Sequence, residues 1–194
     1  MLDCHDVAKY FLTKVNEEEG AMITHLKLQK LVYYAQSANL AFHDTPLFSQ
    51  EILAWTHGPV VCELYQKYKV YGSSPLPPTE SDVTENVTEP DRKIMDSVYV
   101  FFGQFAAWKL REMTHQETPW RDAYPTEGVI SSSSMRDYFR IHWCDDLSAA
   151  IDTPEVALQK LLDTHWEPNE EALEAARRYK MGRVDGGRYR SEEN

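Results

Sequence analysis

A chain of 194 residues with 42% apolar and 12% aromatic content can bury a core of its own without metal or disulfide staples. Its 31 acidic against 20 basic side chains give a net charge of −11, which argues against a general nucleic-acid binder, because the phosphate backbone rewards clustered Lys and Arg. Cys4, Cys62 and Cys144 are odd in number, far apart and form no CxxC, so neither a disulfide framework nor a zinc knuckle is indicated.

The first residues, "MLDCHDVAKYF", lack a basic-then-apolar leader, and no apolar run reaches membrane-spanning length. A reducing cytoplasm is the expected compartment. Asp3 or Asp6 can cap a first helix with Val7, Phe11 and Val15 on one face, stopped by Gly20 after "NEEE". Thr24 caps a longer one, "HLKLQKLVYYAQSANLAF", where Leu28, Leu31, Val32, Ala35, Ala38 and Phe42 recur at helical spacing. Tyr33 and Tyr34 widen that apolar arc, which predicts the central helix of the core.

"PLFSQEILAW" changes period, and Phe48, Ile52 and Ala54 predict one small extended element near residues 48–56. Gly58 is expected to break it and Pro59 to open the next helix, "VVCELYQKYKVYG", with Val61, Leu64, Tyr65, Tyr68 and Tyr71 on one face. "SSPLPPTESDVTENVTE" reads as a loop. Thr88 or Glu89 ahead of Pro90 restarts a helix carrying Ile94, Val98, Phe101 and Phe102. Gly103 separates it from "FAAWKLREM", and Ser131 precedes a helix with Met135, Tyr138, Phe139 and His142 in register. "TPEVALQKLLDTHW" and "NEEALEAARRYKMG" predict two more, before a basic end. The fold class is mainly α, a compact domain of six to eight helices.

The stretch "LREMTHQETPWRDAY" admits two helix starts. "THQE" matches a capping box on Thr114, but that would drive the ring of Pro119 into the carbonyl of His115. Thr118 as cap with Pro119 in the first turn avoids the clash, leaving His115 and Glu117 in a connection. As catalysts the two would need a third partner and a pocket, and no Ser or Cys nucleophile sits in a recognisable setting. A metal would need ligands such as His57 and Cys62 from elsewhere. The plainer reading is a joint, in which Thr114 and His115 bond backbone groups at a helix end and Trp120 supplies burial.

"LKLQKLVYYAQ", then "ILAWTHGPVVCELYQKY", then "WKLREMTHQETPW" together resemble the Panacea, or SocA-like, antitoxin domain, whose members include GepA-type proteins of mobile elements. The matching positions are Leu28, Gln29, Lys30, Leu31, Tyr33 and Tyr34; Trp55, Gly58, Pro59, Val60 and Tyr65; and Thr114, His115, Glu117, Pro119 and Trp120. The resemblance implies a mainly helical fold, no enzyme activity, no cofactor and no metal. It implies an antitoxin of a type II toxin–antitoxin system, from a prophage or other mobile genetic element, that neutralises a toxin protein encoded by a neighbouring gene. The alternatives are an adaptor delivering that toxin to a Clp-type protease, or an enzyme using His115 and Glu117. No helix-turn-helix precedes the blocks, so direct DNA binding is not expected. The expected division is an antitoxin domain over residues 1–144 and a helical extension with a basic tail over 145–194. Trp166, Arg177, Arg178, Tyr179 and Arg183 form the expected partner-binding set.

Overall fold

The computed structural model describes residues 1–15, 22–79, 86–145 and 147–148. Among them seven α-helices and one two-stranded antiparallel sheet occur, so the chain is mainly α as expected. The two expected C-terminal helices and the partner-binding set Trp166, Arg177, Arg178, Tyr179 and Arg183 lie outside the described residues. Among the described residues no helix is long and apolar enough to cross a membrane.

Helix α1 (Cys4–Leu12) starts on Asp3, whose carboxylate accepts from the His5 N–H, while Asp6 reaches back to the cap. Both candidate caps thus serve, in a reciprocal box. Helix α2 (His25–His43) starts on Thr24 and ends at Asp44, which adopts the left-handed conformation at φ 58°. Residues Leu28 through Ala41 of α2 are all buried. An amphipathic helix buries one stripe; this one is enclosed on every side and is the axis of the core. It packs against α1, the hairpin, α3 (Cys62–Tyr68), α4 (Glu89–Phe102), α5 (Ala107–Gln116) and α7 (Ser132–His142).

Strands β1 (Ile52–Trp55) and β2 (Gly58–Val61) pair antiparallel from Ile52–Val61 to Trp55–Gly58. This corrects two expectations: Gly58 does not end the extended element, and Pro59 lies in a strand rather than a helix. The reason is the turn. Thr56 and His57 keep negative φ, so the reversal is completed by Gly58 at φ +94°, a conformation that glycine adopts without strain. Pro59 is tolerated because β2 borders only one strand, and its missing N–H leaves no ladder bond unmade. The far edge of β1 is covered too, since Ala54 N–H donates to Gly128 O (3.0 Å) and Ile130 N–H to Ile52 O (2.8 Å).

Helix α3 therefore begins at Cys62, buries Leu64 and Tyr68, leaves Tyr65 half-buried and gives way to a 3-10 turn in which Tyr71 is exposed. Thr88 is the cap of α4, with Asp91 completing the box. Ser131 caps α7, which buries Met135 and Phe139, whereas His142 of the same predicted register faces outward.

The polar residues of α2 tie the axis to its surroundings. Gln36 accepts from the N–H groups of Leu47 (2.8 Å) and Phe48 (3.2 Å) and donates to Phe48 O (3.0 Å). On its other side this segment is bridged by Leu2, whose N–H donates to Leu47 O (2.8 Å), so the carboxamide takes the place of a second neighbouring strand. Lys27 donates to Gly103 O (2.6 Å) at the end of α4, a helix terminus with carbonyls to satisfy. Asn39 donates to Thr45 O (2.8 Å). Removing such a side chain strands buried backbone groups, so Gln36→Ala is expected to destabilise the chain by about 3 kcal/mol. Urea unfolding followed by tryptophan fluorescence checks it, and a loss below about 1 kcal/mol would show that water replaces the carboxamide.

Candidate functional site

Three elements meet beside α2: the tip of the hairpin, the end of α5, and α6 (Thr118–Ala123). The family-like positions Lys30, Gly58, Thr114, Glu117 and Trp120 lie where they meet. Gln29 serves β2 as Gln36 serves Phe48, accepting from Val61 N–H (2.9 Å) and donating to Val61 O (3.2 Å). At the next position, the buried Lys30 ammonium donates to Pro59 O at 2.9 Å. Gly58 sits against this lysine: a methyl group there would lie 2.8 Å from Lys30 Cε and 2.8 Å from Thr114 Oγ1. Gly58 is thus required twice, for its backbone angle and for the closeness of α2 and α5.

The centre of the joint is Glu117. Its carboxylate, 1% exposed, accepts from Tyr33 Oη at 2.7 Å and from Tyr34 Oη at 3.0 Å. Glu117 also stands at the N-cap of α6, where its carbonyl accepts from Arg121 N–H, yet its side chain caps nothing. It turns inward to the tyrosines instead. This differs from the expected start by one residue: Thr118 is the first helical residue rather than the cap, and Pro119 remains in the first turn. Tyr34 is stacked on Phe102 (centroids 3.8 Å), and Tyr33 meets Phe139 edge-on (6.1 Å), so the hydroxyls are aimed by packed rings.

His115 belongs to the last turn of α5 rather than to a connection. Its ring stacks on Trp120 (centroids 3.9 Å, interplanar angle 5°), which stacks in turn on Tyr124 (4.4 Å). Trp120 Nε1–H donates to Trp55 O at 3.0 Å, fixing the stack to the hairpin. Thr114 Oγ1 donates to Arg111 O (2.8 Å), within its own helix. Leu28, Leu31 and Val60 are core residues, Tyr65 packs edge-on against Trp55 (4.9 Å), and Pro119 is buried in the first turn of α6.

No hydrogen bond joins His115 to Glu117 among the described residues; one faces the hairpin tip, the other the tyrosine pair. Among the described residues, Asp3, Cys4 and His5 are the group of His, Cys and carboxylate atoms close enough for a shared ion, within 4.8 Å of one another, and they lie at the start of α1. His57 and Cys62 do not enter it. Asp3 there already caps α1 and accepts from Gln50 (2.6 Å).

Burial sets the ionisation of this region. It pushes Glu117 up to about 7, with the two tyrosine hydroxyls pulling the other way. It pulls Lys30 down to about 7, helped by Arg111. His115 falls to about 4 by burial, then by the charges of Arg111, Lys30 and His57. Tyr33 and Tyr34 are raised by burial and by Glu117.

Sequence reasoning passed over Gln36, Lys27 and Arg111. Gln36 carried a signal, because it repeats Gln29 two turns on along an apolar helix. Arg111 is placed four residues before His115, one helical turn.

These features define a mainly helical domain whose motif residues are the joints between its elements. A family model described as the antitoxin SocA-like, Panacea domain, matches residues 28–121, from α2 to α6. The likeness carried by the three sequence blocks is thus shown over that span. No curated protein and no solved structure gives a match.

The two buried charges give opposite pH limbs. Glu117, raised above its ordinary 4.5, adds stability that is complete below that value and lost as pH climbs through about 7. Lys30, lowered from 10.5, adds stability that is complete above that value and lost as pH falls through about 7. Their joint contribution is lowest near neutrality. Thermal midpoints measured from pH 4.5 to 10 are expected to show this, and Glu117→Gln is expected to flatten the acid limb alone. An unchanged acid limb in that variant would assign the effect to another group.

Proposed function

We propose that this protein is an antitoxin of a type II toxin–antitoxin pair, acting in the cytoplasm by direct contact with a toxin protein encoded beside it. The observation that carries the reading is the family match over residues 28–121. The joint supports it, because Glu117, one of the two acid–base candidates, is closed in by Tyr33 and Tyr34 and ties α2 to the step between α5 and α6. Residues 1–144 would supply the scaffold. Residues 145–194 would select the partner, with Trp166, Arg177, Arg178, Tyr179 and Arg183 in contact with it. Inhibition would follow from covering the toxin's working surface, for which a standard interface of about 1,600 Å² is sufficient.

Co-expression with the neighbouring gene product is the test. That product alone should arrest growth, and the full chain should restore growth and co-purify with it. Glu117→Gln, which keeps the shape and most of the hydrogen bonding of the side chain, should neutralise as well as the wild type. Arg177→Glu with Arg178→Glu should weaken neutralisation about tenfold or more without moving the thermal midpoint. A harmless neighbour that does not co-purify would remove the reading, and loss of function in a folded Glu117→Gln chain would favour chemistry at the joint.

A further inference from the structure

The molecule is acidic, yet the face at the hairpin tip gathers basic side chains around one permanent cation, Arg111. Arg111 is half-buried on α5 with one long hydrogen bond, 3.4 Å to Thr56 O, and no ion pair among the described residues. A guanidinium has five N–H donors in a planar fork, so most of this one is unused. One turn on, His115 Nε2 is buried without a hydrogen-bond partner among the described residues. His57 is exposed at the tip, and the Lys30 ammonium lies beneath with a single acceptor among the described residues, Pro59 O.

Carboxylates do not neutralise this group. Glu117 is held by the two tyrosines, and Glu112 pairs with Lys109 at 3.5 Å. The charges acting on His57 are those of Arg111 and Lys30, and the one acting on Lys30 is that of Arg111. From α2 the face is also met by His25, which packs against Tyr65 (5.3 Å), and Tyr65 meets Trp55 edge-on (4.9 Å). Half-buried aromatic rings beside an unpaired arginine make the composition of an interface hot spot.

We infer that the face formed by Arg111, His57 and His115, flanked by Trp55 and Tyr65, is a docking subsite for a carboxylate side chain of an acidic protein partner. The inference rests on the antitoxin reading only in taking the partner to be a protein. Charge complementarity selects the occupant: a chain of net charge −11 repels an acidic surface except where a cation stands without a carboxylate, as Arg111 does among the described residues. The carboxylate would accept from the guanidinium fork and lie beside the exposed His57 ring, with the half-buried His115 ring within reach of its charge. Because the imidazole is neutral when the face is empty, its occupation should raise the affinity of His115 for a proton, and binding should strengthen as pH falls.

The test uses the full chain at low ionic strength, with histidine ring signals followed by NMR. The probes are a blocked Glu-Asp-Glu peptide, its Gln-Asn-Gln counterpart and inorganic phosphate. The acidic peptide is expected to shift His57 and His115 saturably and the amide peptide to leave them in place. Arg111→Gln should weaken the peptide about tenfold, and His57→Gln, at the exposed tip, should weaken it less. No saturable shift, equal binding by the folded Arg111→Gln chain, or a response to phosphate alone would overturn the proposal. In the co-expression assay, a neighbouring gene product that binds Arg111→Glu as tightly as the wild type overturns the subsite and leaves the antitoxin reading standing. A neighbour that binds neither chain removes that reading, and the peptide still decides the subsite.

Discussion

A helix enclosed on every side must carry its polar side chains into the core, and each must then find a partner there. That constraint governs α2. Burying an unpaired amide or ammonium costs about 1–3 kcal/mol or more, so Gln29, Lys30, Gln36 and Asn39 are useful only if chain segments are brought to them. The segments are Val61, Pro59, Leu47 with Phe48, and Thr45. In each case the acceptor or donor is a backbone group that no regular element would otherwise satisfy. The polar residues of the axis and the irregular backbone around it answer each other's deficit, which is why short strands and loops can pack so close to a fully buried helix.

The same logic explains the joint between α5 and α6. A one-residue step between helices, Glu117, leaves little freedom, and Pro119 fixes the direction of the second. With Glu117 turned inward to Tyr33 and Tyr34, the step is tied to the axis by two hydrogen bonds in a dry setting. On the outer side the His115–Trp120–Tyr124 stack reaches the hairpin through the Trp120 indole N–H. One joint therefore positions two surfaces at once. Moving Glu117 would move Trp120, and with it the turn that carries His57.

Much of this was legible in the sequence, and the pattern of what was not has a physical cause. The dense apolar arc with Tyr33 and Tyr34 marked α2 as the axis, and Thr24, Thr88 and Ser131 marked helix starts because capping depends on a few local atoms. The second strand was illegible for the opposite reason. "GPVV" before "CELYQKY" satisfies the local rule for a helix opened by proline, and pairing with β1 on one edge and the partners supplied by Gln29 and Lys30 on the other make a strand of it. His115 likewise reads as a residue of a connection until the stack on Trp120 extends α5 through it. Glu117 could be ranked as notable by type and spacing, but its two tyrosines lie more than eighty residues away in sequence. Local chemistry is written locally; a tertiary hydrogen bond is written at two distant places, neither of which names the other.

A stiff interior also bears on how such a chain could serve as a binding protein. Association is opposed by the ordering of whatever was loose beforehand, so a surface already fixed by the core begins with less to lose. The hairpin tip is fixed in this way from three directions: Lys30 on Pro59 from below, Trp120 on Trp55 from the side, and Gly128 and Ile130 along the far edge of β1. Arg111 beside the tip has no carboxylate partner among the described residues, and the Glu117 carboxylate is given to the tyrosines. Were Glu117 turned outward as an ordinary helix cap, it would lie on the same end of α6 as the Arg111 and His115 cluster and could neutralise it. Its inward turn thus does two things with one rotation, closing the core and leaving the positive charge at the tip available to another molecule.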